Sequence, residues 1–488
     1  MSNISFLQEL LSSVADQSRN LLPKSLFRDD PEQGLQDLIK ALMSGRGEAS
    51  GVAIARQLLR HYQLMDADLR LAFFRYIAEE LKPNSDGITS AASAFIEDPS
   101  AKNLKQLQSA VDSPKQEFFR RLNMAPGGTA DIVRMRKDLL DFIQKNPEFE
   151  ALRTIDSDLQ HLLQSWFNRG FLVLRRIDWH TPATILDKII DYEAVHEITG
   201  WSDLKRRLDP ADRRCFAFFH PSLVDEPLIF VQVALTQEIP GDIANVLEMK
   251  STDELTENRG PTTAVFYSIS NCQEGLRGIS FGNFLIKQVV EELTKECPTL
   301  KTFVTLSPVP GFSKWVKSID TSPDNTGIDD GSRSAIVALK TGDWQRDDTA
   351  TAALSPSVQA LAAMYFLNEK NKRGQPLDPV ARFHLGNGAR LERINWPADL
   401  SQRGLTQAHG LMVNYLYELA DIERNHEAFA HDGTVAAARS IRNQLKSKAR
   451  VRESINQAQP GSGTVEPVAP PRIEHKSEQA EAITAEKE

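Results

Sequence analysis

Cysteine is scarce in this chain: Cys215, Cys272 and Cys297 make an odd set of three with no C-x-x-C spacing. That excludes a disulfide framework, offers no zinc-finger pattern and fits a reducing compartment. Also missing is any run approaching the roughly 18 apolar residues that a membrane-spanning helix needs. The opening, MSNISFLQELLSSVADQ, lacks the basic-then-apolar order of a secretory signal, and the ending, AEKE, lacks a Ser-Lys-Leu peroxisomal address. A cytoplasmic location is expected. Positive charge is in deficit, with 57 Lys and Arg against 66 Asp and Glu for a net charge of −9. This argues against nucleic acid or an anionic membrane as main partner, while leaving room for a local basic pocket that takes a small anion. The ten histidines include no H-x-x-x-H or H-E-x-x-H pair, and no lysine stands in a pyridoxal-type context. Neither a metal nor an organic cofactor is expected.

What is present is an ordinary globular composition, 41% hydrophobic and 25% charged over 488 residues, enough for two to four domains. Residues 8 to 165 carry apolar residues at spacings of three and four, as in GLQDLIKALMSGRGEASGVAIARQLLRHYQL, and few β-branched runs. They predict a helical domain over 1–168. Its lone His61 and His161 read as surface or core residues. Its apolar stripes suit packing against a second copy. After residue 170 the period changes. RCFAFFHP (214–221), PLIFVQVALT (227–236), TTAVFYSIS (262–270) and LKTFVTLS (300–307) read as buried strands. A helix follows in GNFLIKQVVEELTKECP, with Leu285, Val289 and Leu293 on one stripe before Pro298. SVQALAAMYFLNEKN and HGLMVNYLYELADIERNHEAF read as helical. The expectation is an α+β protein: helical 1–168, an α/β domain over 169–455, and a disordered tail over 456–488 with almost no large apolar residues.

Gly278-Ile279-Ser280-Phe281-Gly282 spells G-x-S-x-G, the pattern that exposes a nucleophilic serine in esterases. That elbow needs a strand running directly into it. Here the strand signal fades near Ser270, and NCQEGLRG intervenes. Gly275, Gly278 and Gly282 with Arg277 at a helix start suit an anion such as a pyrophosphate. Standing alone, the same glycines would serve equally well as a ligand-free connection. Likewise Ser307, at a strand end stiffened by Pro308 and Pro310, and His384, before a turn at Asn387-Gly388, read by themselves as a turn residue and a core histidine.

AVFYSISNCQEGLRGISFGNFLIKQVVEELTKECPTLKTFVTLSPVPGFSKWV, with ARFHLGNGARLERINWPADLSQRGLTQAHGLMVNYLYELA further on, closely resembles the malonyl-CoA decarboxylase family. The LSPVPGF and FHLGNGA…RINW…D blocks are its most specific parts, and the resemblance covers most of residues 170 to 425. It implies a helical N-terminal domain that forms the oligomer, a homotetramer, and a catalytic domain resembling the Gcn5-related acetyltransferase fold. In that fold an acyl-CoA pyrophosphate sits on the loop between a central strand and its helix. Arg277, Gly278, Ile279, Ser280, Phe281, Gly282 and Asn283 then bind malonyl-CoA, and Ser280 is a loop residue. The family's catalytic serine and histidine map to Ser307 and His384, both also touching substrate. Tyr417 matches a tyrosine of the family's site.

The implied chemistry is loss of CO2 from a malonyl thioester, which leaves an enolate that the thioester carbonyl itself delocalises. The site must stabilise that oxygen and protonate C2. His384 is the expected proton donor, with Ser307 bonding the malonyl carboxylate or relaying a proton, and Tyr417 adding a donor. Asn395, Trp396 and Asp399 are expected at the pocket wall. Two rivals differ in products. An acyltransferase on the same fold requires an amine acceptor, and a serine hydrolase acting through Ser280 releases free CoA.

Overall fold

The structure is a computed structural model that describes residues 31–44, 47–248, 260–279, 284–322 and 328–445. Between Pro31 and Trp166 the chain is helical, as its periodicity predicts. Short polar side chains fix several helix starts: Asp66, Asn84 and Ser100 accept the backbone N–H of Leu69, Gly87 and Asn103. The core of this layer is aromatic, with Tyr62 and Phe73 rings 5.2 Å apart and Phe118 and Phe119 rings 5.1 Å apart. Two helices behave differently. Ser85–Glu97 and Ala101–Val111 pack on each other without a buried residue, leaving Ile96, Leu104 and Val111 exposed.

The second layer is an eight-stranded sheet: β1 Val173–Ile177, β2 Arg213–Phe219, β3 Pro227–Thr236, β4 Thr263–Asn271, β5 Thr302–Thr305, β6 Ser307–Pro308, β7 Arg390–Asn395 and β8 Met412–Leu416. The strands lie in the order β1-β2-β3-β4-β5-β8-β6, with β7 also on β8. The pairing is antiparallel except between β4 and β5. Parallel neighbours require a crossover, and the helix Phe284–Glu296 supplies it. Leu285, Val289 and Leu293 are buried on its sheet-facing stripe, as their spacing predicts. Val133, Leu163 and Phe167 join the same core, so the two layers share apolar packing.

Antiparallel strands around one parallel pair, with helices packed against them, make this an α+β domain. One reading needs correction. HGLMVNYLYEL is not helical: Met412–Leu416 is β8, and the helix begins only at Ile422. Every residue of β8 is buried, so its apolar run lacks the polar face that would reveal a period of two. The helix Asp348–Leu367 reaches a mean hydropathy of 1.2 over 18 residues, membrane-like by composition. Yet it carries Pro356 and buries Val358, Leu361, Ala363 and Phe366 in the sheet-domain core, as a core helix does. The tail and the 280–283 segment lie outside the described residues.

β4 and β5 pair only from Thr263↔Thr302 to Phe266↔Thr305. Beyond that point β4 runs on to Asn271, whereas the other chain turns away so that Ser307 and Pro308 pair with Val413 and Met412 of β8. The strands part at their C-terminal ends, where open sheets place ligands.

Candidate active site

Ser307 sits one step past this parting and is almost fully buried. Its hydroxyl donates to Thr305 Oγ1 at 2.8 Å, two residues back on the same strand face. Thr305 is itself fixed: its Oγ1 accepts the Tyr415 N–H at 3.1 Å, and its carbonyl accepts Asn414 Nδ2 at 2.8 Å. Asn414 in turn accepts from Asn395 Nδ2 at 2.8 Å and from Arg393 Nε at 3.1 Å. Asn395 therefore stands behind the serine strand as support, three hydrogen bonds away from the Ser307 hydroxyl. Trp396 donates to the His409 carbonyl at 2.8 Å, and Asp399 accepts the Ser401 N–H at 3.0 Å, so both shape the loops of this wall.

His384 comes from the helix Pro379–Gly386. Its Nε2 lies 3.1 Å from Ser307 Oγ and its Nδ1 lies 2.8 Å from the Tyr417 hydroxyl. The Tyr415 ring stacks on the imidazole at 4.6 Å and 25°. The bonds fix a direction. Since Ser307 gives its proton to Thr305, Nε2–H donates to Ser307, and Tyr417 O–H donates to Nδ1. Burial holds the imidazole down to about 3 from its ordinary 6.5, and lifts the Tyr417 phenol well above its ordinary value. Both groups therefore rest in their neutral forms.

Asp378 ties the His384 helix to the turn after Ser307. Its carboxylate caps the His384 helix through the N–H groups of Val380 and Ala381, both at 2.9 Å, and accepts the Gly311 N–H at 3.4 Å just beyond the serine turn. A side chain at Gly311 would strike the Tyr365 hydroxyl at 2.3 Å, so that turn must be glycine. Thr305, Tyr415 and Asp378 were not among the residues expected from sequence. The signal for Tyr415 and Thr305 is the period of two, Tyr415 with Tyr417 and Thr305 with Ser307.

The Gly-rich segment begins at the other side of the parting. A short 3-10 turn, Glu274–Leu276, follows β4, and Gly278 adopts φ +82 with open space around it. Arg277 is exposed and Ile279 buried. Ser280, Phe281, Gly282 and Asn283 lie outside the described residues. β4 ends at Asn271 and a 3-10 turn intervenes at Glu274–Leu276, so no strand runs directly into the G-x-S-x-G stretch as an elbow requires.

A buried serine, histidine and tyrosine in hydrogen-bond sequence, at the point where two parallel strands part, define a catalytic domain rather than a binding module. Comparison with known proteins identifies which one. Residues 170–455 match the malonyl-CoA decarboxylase C-terminal domain, and residues 81–167 match the corresponding N-terminal domain. The chain belongs to the malonyl-CoA decarboxylase family. A solved malonyl-CoA decarboxylase from Rhodopseudomonas palustris superposes with a TM-score of 0.78 at 54% identity, covering 84% of this chain and 99% of that one. One from Cupriavidus metallidurans gives 0.65 at 35% identity, covering 85% and 99%. The mitochondrial malonyl-CoA decarboxylase of Mus musculus is 39% identical over 343 residues, 66% of this chain and 69% of that protein.

Proposed function

We propose that this enzyme decarboxylates malonyl-CoA to acetyl-CoA and CO2, with Ser307, His384 and Tyr417 as its proton relay. The observation that carries the reading is the unbroken sequence Tyr417 Oη, His384 Nδ1, His384 Nε2, Ser307 Oγ, with links of 2.8 and 3.1 Å. Both imidazole nitrogens are engaged, so a proton from His384 reaches substrate only through Ser307. This favours the relay role of Ser307 over direct donation by the histidine. The malonyl carboxylate leaves as CO2, and its C–C bonding pair forms the thioester enolate. Ser307 then turns its O–H from Thr305 to C2 and takes the Nε2 proton, while His384 takes the Tyr417 proton at Nδ1. A solvent proton then enters at Nε2 as the Nδ1 proton returns to Tyr417, which restores every group with one proton consumed per turnover. A neutral imidazole suits this task, because it donates an N–H without carrying a buried charge. In the same reading, the 277–283 segment receives the CoA pyrophosphate.

A single product assay tests the activity against its rivals. Purified protein with malonyl-CoA and no acceptor yields acetyl-CoA, and in deuterium oxide that acetyl group carries one deuterium. Free CoA without acetyl-CoA would instead favour the hydrolase, and turnover only with an amine would favour the acyltransferase.

We infer further that copies of the chain assemble through the helical layer. The support is the hairpin Ser85–Val111, whose Ile96 and Leu104 are exposed among the described residues. Ile96→Asp with Leu104→Asp is expected to give a smaller species in sedimentation; an unchanged oligomer overturns the assignment.

A further inference from the structure

We propose that Arg136, a residue of the helical layer, is a positioning residue for the loop that holds the nucleotide end of the CoA thioester. The proposal rests on the reading of that loop given above. Arg136 lies in the helix Gly128–Lys145 and is fully buried. Its Nε donates to Asp156 Oδ1 at 2.8 Å, and its Nη1 crosses to the sheet domain, donating to the carbonyls of Gly275 at 2.7 Å and Arg277 at 2.9 Å. A buried guanidinium is costly unless it is paired and bonded, and here it spends two bonds on loop backbone. Nη2 is also buried, with no partner among the described residues.

The consequence follows from peptide geometry. In a trans peptide the C=O and the following N–H point in opposite directions. Drawing the Arg277 carbonyl toward Arg136 therefore turns the Gly278 N–H away from the helical layer, outward at an exposed residue with φ +82. Outward N–H groups next to left-handed glycines form anion-binding concavities. Arg136 thus sets the orientation of a donor and places a cation beneath the loop without touching substrate. The fit is tight. A Cβ on Gly275 would lie 1.9 Å from the Val133 carbonyl, so only glycine lets the loop lie against this helix. Val133 and Arg136, three apart, form the face that meets it. The neighbouring Lys137–Glu274 pair at 3.1 Å is exposed and adds little.

The test compares two substrates in the full-length protein: malonyl-CoA, and malonyl-pantetheine, which lacks the diphosphate and nucleotide. The expected result for Arg136→Ala is a KM for malonyl-CoA raised about tenfold, with kcat held within about twofold and kcat/KM for malonyl-pantetheine unchanged. Arg136→Lys recovers part of the difference. Equal losses on both substrates would mean a merely structural role, and no change on either would mean no role; each overturns the proposal. Asp156→Asn keeps Arg136 but loosens its Nε anchor. It is expected to give the same substrate-selective rise in smaller measure, and provides the reading if Arg136→Ala does not fold; its failure to discriminate the substrates is equally fatal. If the parent enzyme itself handles both substrates with equal kcat/KM, the pyrophosphate reading of the loop falls, which is separate from failure of Arg136 alone.

Discussion

The helical layer and the sheet domain are held together by different kinds of burial. Among the described residues of the helical layer the buried polar side chains are Lys115, Thr129 and Arg136, in a layer whose core is built on Phe73, Phe74, Phe118 and Phe119. The sheet domain buries Glu193, Asp212, Arg213, Gln232, Asp378, His384 and Asn414, among others. Each such group costs stability unless it is bonded, and the named ones all carry bonds, although Asp212 Oδ1 and, elsewhere in the domain, His196 Nε2 and His409 Nε2 have no partner among the described residues. Glu193 alone accepts from Gln232 at 2.6 Å, from Ser268 at 2.8 Å and from the N–H groups of Val195 and His196 at 2.8 and 3.0 Å. The lesson is a division of labour: apolar packing makes one layer stable, while bonded polar interiors give the other its fixed geometry for chemistry. Arg136 is the exception in the helical layer, and it lies where the layers meet.

The largest test of that division is to remove the relay. His384→Ala and Ser307→Ala are each expected to lower kcat by roughly 10²–10⁴-fold, the usual contribution of a general acid–base group. The KM for malonyl-CoA should move far less. Because the two act in sequence, the double variant should be little slower than the poorer single one, as measured by acetyl-CoA formation. A fully additive loss would separate their roles and break the relay.

The helical layer should answer in the opposite currency. Phe118 is fully buried among aromatic neighbours. Phe118→Ala should cost about 3–5 kcal/mol in denaturant unfolding, through lost transfer energy and a cavity. The kcat of the folded fraction should stay unchanged. A large kcat loss without a loss of stability would show that the layers are not divided as described.

Acid should find the sheet domain first. The unfolded chain takes up a proton at each histidine near 6.5, whereas burial holds folded His384 down to about 3 and His196 and His409 to about 4. Below 6.5 the unfolded state therefore binds protons that the folded state refuses, and stability falls as pH drops through this window. His384→Gln should flatten the dependence by one proton, about 1.4 kcal/mol per pH unit, between about pH 6 and 4. An unaltered slope in urea unfolding would mean that His384 is not the buried neutral group described.

How much of this was legible in the sequence divides along the same physical line. β2, β3, β4 and the helix carrying Leu285, Val289 and Leu293 announce themselves because local pattern and final burial agree. Ser307, His384 and Tyr417 came from the resemblance of whole blocks, since nothing local distinguishes a relay histidine from a core one. β8 was misread because both its faces are buried, which erases the alternation. Arg136 could not be found at all. In sequence it is one basic residue in a helix with others, and its meaning lies in two carbonyls about 140 positions away.

The smallest expected effect is also the most discriminating. Tyr417→Phe keeps the ring that sits 6.5 Å from Phe266 and removes one oxygen, the partner of His384 Nδ1 at 2.8 Å. The nitrogen is then buried without a donor, a loss of about 1–3 kcal/mol if the bond matters in the transition state. The imidazole also loses the bond that keeps its proton on Nε2, so part of the population should present the wrong tautomer to Ser307. About a tenfold fall in kcat with KM unchanged is expected, and it should not deepen in a Ser307→Ala background, where the relay is already cut. If Tyr417→Phe lowers stability but leaves kcat intact, the tyrosine belongs with the structural bonds of Glu193 and Asp378, and the relay ends at His384.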